Sequence, residues 1–212
     1  MYIPESFNEE RKEVLHELIR NNPFGMIISN GDRGPVATSV PILLSQNESK
    51  FGLLQCHIAR ANPHWKNIDG QDVLVIFQGE NAYISPNWYP TKEENGMVVP
   101  TWNYAMVQAR GVARVVDDAG WLKEQITALT NQAERGFSRP WKVSDAPADY
   151  IDGQIKGIIG IEIKVDSLEG KWKVSQNRSV KDRHGVANHF DSVGNTEMAA
   201  LVREYGGLKG EI

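Results

Sequence analysis

Cysteine is almost missing from this chain. Cys56 stands alone among 212 residues, so no internal disulfide can form and no Cys-x-x-Cys pair exists to seat a metal. Long hydrophobic runs are missing too: no apolar stretch approaches the roughly 20 residues that cross a bilayer. The first residues, MYIPESFNEERKEV, have no basic segment followed by an apolar one, which speaks against a secretory leader. Charge of one sign is not in excess: the net charge is -4, with 24% charged residues, so the chain as a whole lacks the basic footprint of a nucleic-acid binder. Phosphate loops of the Gly-x-x-x-x-Gly-Lys-Ser/Thr type, His-Glu-x-x-His and Gly-x-Ser-x-Gly are all absent. The expectation is a cytoplasmic chain in a reducing compartment, with no membrane partner and no metal.

What is present is ordinary globular composition, 41% hydrophobic, with short strand-like runs set between turns. Ser6 and Glu9 have capping-box spacing ahead of Val14, Leu15, Leu18 and Ile19, which share one helical face until Asn21-Asn22-Pro23 stops it. GMIIS, VATSVPILL, FGLLQCHI, VLVIF and AYIS read as strands, with turns at NGDRGP and QNESK. ARANPHWKNIDG is a gap with room for a helical turn, and PNWYPTKEENG is too irregular for a strand. Met97 to Val116 is the best candidate for a central strand. Trp121, Leu122, Ile126 and Leu129 have helical spacing, IIGIEIKV and GKWKVSQN read as closing strands around a turn at Leu168-Glu169-Gly170, and beyond Arg178 only TEMAALVREYGG looks helical. The pattern predicts a mainly β fold with α decoration, an antiparallel barrel.

PTWNYAMVQARG, residues 100–111, divides into Thr101, Asn103, Ala105, Val107 and Ala109 on one face and Trp102, Tyr104, Met106, Gln108 and Arg110 on the other. Neither face is designed for water, so one should meet a core and the other a ligand or partner. HIARANPHWK, residues 57–66, gathers imidazole, guanidinium, carboxamide and ammonium groups at a strand end, where a phosphate could be held; a solvated loop explains the same residues equally well. Trp102, Asn103 and Tyr104 offer a planar wall with amide hydrogen bonds, or a packed dimer interface. Phosphate end and flat-ring end together have the shape of a mononucleotide site. His64 and Tyr104 are the nearest candidates for acid or base chemistry, but each is better read as structural, so no catalytic residue is assigned.

MYIPESF, NPFG, HIARANPHWK, AYISPNWYP, VVPTWNYAMV and GKWKVSQNR, in this order, resemble the PaiB-type, FMN-binding negative transcriptional regulators, from residue 1 to about 190. That resemblance implies an antiparallel split β-barrel of the FMN-binding, flavin reductase-like type, dimeric, with FMN at the interface of a homodimer. It divides the chain into an FMN-binding domain over 1–190 and a helical tail over 191–212. It implies that His57, Ala59, Arg60, Asn62 and Lys66 receive the FMN phosphate and ribityl chain, that Thr101, Trp102 and Asn103 approach the ring, and that Ser175, Gln176 and Asn177 close the site. Ser39 and Val40 also fall at the cofactor, with Ser39 where the family is expected to carry a histidine; Arg110 replaces a second one. Three functions stay open: a regulator acting through flavin or redox sensing, a flavin oxidoreductase using NAD(P)H or a small substrate, and a vestigial barrel without cofactor, the last motivated by Ser39 and Arg110. The basic segment NRSVKDRHG, 177–185, is the one candidate for DNA contact.

Overall fold

The computed structural model describes residues 1–46 and 49–208. A 3-10 turn at Glu5–Phe7 leads to β1 (Asn8–Glu9) and α1 (Lys12–Asn21), followed by β2 (Phe24–Gly31), β3 (Gly34–Pro41), β4 (Leu43–Ser45) and β5 (Leu53–Ala59). Next come α2 (Trp65–Ile68), β6 (Asp72–Ile84), α3 (Thr91–Asn95), β7 (Thr101–Val116), α4 (Ala119–Glu134) and α5 (Ala148–Ile155). β8 (Ile158–Lys173), α6 (Val180–Ser192) and α7 (Thr196–Tyr205) complete the described chain. The eight strands form one sheet in the order β3-β2-β6-β7-β8-β5-β4, with β1 paired to β8. β2 runs antiparallel to β3 and β6, and β5 to β4 and β8, as the turn-rich spacing predicts. Among the described residues no helix is long and apolar enough to cross a membrane.

The chain divides into two compact units. The first contains Met1–Arg11, Gln78–Val107 and the chain from Glu169 onward; the second contains Lys12–Phe77 and Gln108–Leu168. In the first unit Ile84 and Val174 pack with Val186 and Phe190 of α6 and Met198 and Val202 of α7. Trp88 stacks on His189 at 3.9 Å between ring centroids. In the second, α1 buries Leu15, Leu18 and Ile19, and Ile27, Val75 and Phe77 are wholly enclosed. Cys56 is buried there as a structural thiol, its pKa pushed up to about 12 by burial.

Several local expectations are corrected. Ser6 does not cap α1: it lies in the 3-10 turn, and Glu9, paired in β1 with Gly170, gives its carboxylate to Arg11 and to the Tyr205 hydroxyl at 2.7 Å. Strand pairing thus takes the residue that a capping box would use. Leu168-Glu169-Gly170 makes no turn, because Gly170 and Lys171 pair with β1 and β8 runs straight through. VATSVPILL is broken at Ile42, whose N–H leaves the ladder for the Pro23 carbonyl at 2.8 Å. α6 was concealed by its polar composition and by Gly185, where a Cβ would lie 2.1 Å from the Trp88 carbonyl oxygen. QNESK includes residues 47 and 48, which lie outside the described residues, as do the last four of the tail.

Candidate functional site

The alternation of β7 holds. Asn103, Ala105, Val107 and Ala109 are buried, while Trp102 and Arg110 are exposed and Tyr104, Met106 and Gln108 half-buried between them. One face meets the core and the other is half open. The other site residues from the sequence fall into two sets, one in each unit.

In the second unit, β5 ends at Ala59, and the chain turns over Asn62, whose N–H donates to the Ala59 carbonyl at 2.9 Å. Arg60 is already committed: its guanidinium donates to both oxygens of Asp117, at 2.9 and 2.6 Å, and to the carbonyls of Lys156 and Ile158. That hydrogen-bonded guanidinium holds the Asp117 carboxyl below the usual range. Arg60 therefore pins the loop, whereas Lys66 is exposed and forms no ion pair among the described residues, its ammonium 5.8 Å from the Trp65 ring centroid. Asn62 caps the next turn, its Oδ1 accepting from the His64 N–H at 3.0 Å. His57 is half-buried, with Nδ1 2.7 Å from Gln125 Oε1 on α4; the Gln125 Nε2 is buried without a partner. Ser39 is exposed on β3, and Val40 points into the core, so only its backbone could meet a ligand.

His64 binds this loop to the sheet. It is 4% exposed, with Nε2 2.8 Å from the Ser29 hydroxyl and Nδ1 2.7 Å from the Thr38 hydroxyl. Burial pushes its pKa down, so the ring is neutral, and both nitrogens are occupied. Ser29 and Thr38 carried no signal in the sequence, because a hydroxyl is ordinary in any strand.

In the first unit, Asn103 is fully buried and makes a two-way pair with the Ser175 hydroxyl, donating at 3.0 Å and accepting at 3.2 Å. Ser175 has φ +73°, the one positive value at a non-glycine among the described residues. Gln176 folds back on its own loop, accepting from the Val174 N–H at 2.7 Å and donating to the Trp172 carbonyl, while Asn177 is exposed. Thr101 accepts from the Lys173 ammonium at 2.6 Å, and Trp102 meets Tyr83 edge to face at 6.0 Å. Lys173 was missed, although GKWK places Lys171 and Lys173 two apart and so on one face of β8. Of the basic segment 177–185, Lys181 pairs with Glu94 and Arg183 donates to the Gly206 carbonyl.

Each unit offers its own donor set: the second has an uncommitted ammonium beside a carboxamide, which suits a phosphate, and the first has exposed aromatic rings beside the buried Asn103 amide. Comparison with known proteins gives the fold and the family. Among solved structures, an FAD and haem binding protein from Mycobacterium smegmatis has TM-score 0.57 at 13% identity, covering 78% of this chain and 73% of that one. The flavocytochrome Anf3 from Azotobacter vinelandii has TM-score 0.55 at 12% identity, covering 78% and 69%. These likenesses show the fold, a split barrel. An uncharacterized protein of Emericella nidulans is 35% identical over 99% of both chains. The Bacillus subtilis protein named protease synthase and sporulation protein PAI 2 is 31% identical, covering 96% of this chain and 97% of its own. The family model described as "Putative FMN-binding domain" matches residues 1–167. The chain belongs to this FMN-binding, PaiB-type family of split-barrel proteins.

Proposed function

We propose that the chain binds FMN as a homodimer and serves as a flavin- or redox-responsive regulator. The observation that carries the flavin reading is the loop after β5: Arg60 and His64 fix its backbone from both sides and leave the Lys66 ammonium uncommitted for a phosphate. In this reading Asn62, His57, Ala59 and Ser39, all of the second unit, are the further candidates for the phosphate end. FMN rather than FAD is supported by the family's description. The regulatory reading is supported by the resemblance of the motifs to the PaiB-type regulators and by the Bacillus relative, which is named for protease synthesis and sporulation. A small-substrate oxidoreductase is the second reading, favoured by the open aromatic face of Trp102 and Tyr83; NAD(P)H consumption by the flavin-loaded chain separates the two.

Each charge-assisted contact to a phosphate contributes about 1.5–3 kcal/mol. Lys66→Ala is therefore expected to weaken FMN binding at least about tenfold without moving the melting temperature. Arg60→Ala should lower both, since it frees the loop. FMN affinity unchanged in Lys66→Ala would remove that residue from the site.

The homodimer is supported by an apolar sheet face in the second unit. The register stacks Pro41 with Phe24, Ser39 with Met26 and Ile76, and Ala37 with Ile28 and Leu74. Phe24 is 68% exposed and Met26 40%, and β3 is an end strand with nearly every residue exposed. Such an edge and patch favour a second copy. Met26→Glu would bury an unpaired carboxylate there and should weaken dimerisation about a hundredfold or more, read by light scattering over a dilution series. A Met26→Glu protein with the dimer mass and midpoint of the wild type would count against this face.

A further inference from the structure

The first unit carries three cations that the flavin reading does not use. Lys171 is only 9% exposed, yet its ammonium has no carboxylate: it donates to the Tyr2 carbonyl at 3.1 Å and lies 5.6 and 5.5 Å from the ring centroids of Tyr2 and Tyr104. Lys173 donates to Thr101 Oγ1 and the Trp102 carbonyl, which leaves one of its three hydrogens free. Arg178 has its guanidinium carbon 4.8 Å above the Tyr89 ring. Among the described residues none of the three forms an ion pair. The acidic side chains nearest in sequence are engaged elsewhere, Glu169 with the Met1 amine and Asp182 with the Thr91 N–H and hydroxyl. Burial pushes the Lys173 pKa down, and the charges of Arg178 and Lys171 push it further the same way.

Buried cations in proteins are nearly always paired, yet Lys171 is buried without a carboxylate, and the half-buried Lys173 and Arg178 add like charge beside it. Two further features point to a ligand. Ser175 is held at positive φ by the buried Asn103, a strained conformation of the kind kept at binding sites. Trp102 and Tyr83 leave about half their surface open beside the cations, the form of a stacking platform.

We infer that Lys171, Lys173 and Arg178, with Trp102 and Tyr83, form a site for a flat aromatic anion such as an aryl carboxylate, a ligand additional to the flavin. The ring stacks on Trp102 and the carboxylate accepts from the free Lys173 N–H. The cations are few and the platform is two rings wide, which suits a single small anion rather than a polyanion.

The test is calorimetric titration of the full chain with benzoate, cyclohexanecarboxylate and benzamide, with and without bound FMN. Benzoate should bind saturably at one per chain, at least tenfold tighter than the non-planar acid or the uncharged amide, and more weakly as salt rises. Lys173→Met and Arg178→Gln should each lose tenfold or more, and Lys173→Arg should retain binding, which separates lost charge from lost folding. Equal affinity for the three probes, no benzoate binding, or variants that bind like wild type would overturn the site. Displacement of benzoate by one equivalent of FMN would assign the face to the flavin and overturn it as well. A chain that binds benzoate but not FMN would leave this site standing while the flavin reading falls.

Discussion

Gly111→Ala is expected to unfold the protein or nearly so. Gly111 lies within β7, where a Cβ would sit 2.0 Å from the Lys164 carbonyl oxygen and 2.8 Å from its carbon, with the Val165 Cα at 3.2 Å. The obstruction is backbone of β8, so no side-chain rotation relieves it. The two strands would have to part, breaking ladder hydrogen bonds in the middle of the sheet. Overpacking usually costs about 1–3 kcal/mol, and a backbone clash belongs at or beyond the upper end, a large fraction of the 5–15 kcal/mol that typically holds a domain together. Urea denaturation checks it: the midpoint should collapse in Gly111→Ala, while alanine at the open Gly153, inside α5, should change little or stabilise. A Gly111→Ala unfolding free energy within about 1 kcal/mol of wild type would contradict the approach of β7 to β8.

Acidification should destabilise the second unit before its carboxylates titrate. His16 is 1% exposed, with Nε2 donating to the Phe51 carbonyl at 2.9 Å and Nδ1 accepting from the Gln46 amide at 3.0 Å; His64 is enclosed between two hydroxyls. Burial lowers both pKa values below 6.5, so as pH falls the unfolded chain takes up protons first. Stability contributed by the neutral rings is complete above that ordinary value and is lost as pH drops below it. The loss runs at up to about 1.4 kcal/mol per pH unit for each ring until the folded pKa values are reached. The carboxylates held low by cationic partners, Glu162 by Arg114 and Asp117 by Arg60, act later, as pH falls through and below the carboxylate range. Denaturation midpoints at pH 7.5, 6 and 5 should fall steadily, and His16→Gln with His64→Asn should flatten the slope. A wild-type midpoint constant from pH 7 to 5 would show that neither ring is held neutral.

The strand runs and their faces rested on signals that survive folding. In PTWNYAMVQARG, alternation alone separated the buried set Asn103 to Ala109 from the half-open set Trp102 to Arg110, because the period of a strand is two whatever it packs against. Signals that depend on the third dimension misled. Ser6 and Glu9 had cap spacing, but Glu9 is claimed by Arg11 and Tyr205, which is 196 residues away. Leu168-Glu169-Gly170 had turn composition, but β1 pairs there. The site was half legible for the same reason. Motif order located the loop from His57 to Lys66, yet composition could not tell that Arg60 is bound to Asp117, 57 positions on, while Lys66 stays uncommitted. Nor could it show that His64 needs Ser29 and Thr38, or that Lys171 is buried without a carboxylate.

The most direct test of the flavin site is an absorbance spectrum of the freshly purified chain, followed by titration with FMN while flavin fluorescence is recorded. The account predicts a yellow protein, or a saturable change at one FMN per chain that weakens in Lys66→Ala. A colourless protein whose addition leaves FMN fluorescence unchanged at every concentration would contradict it.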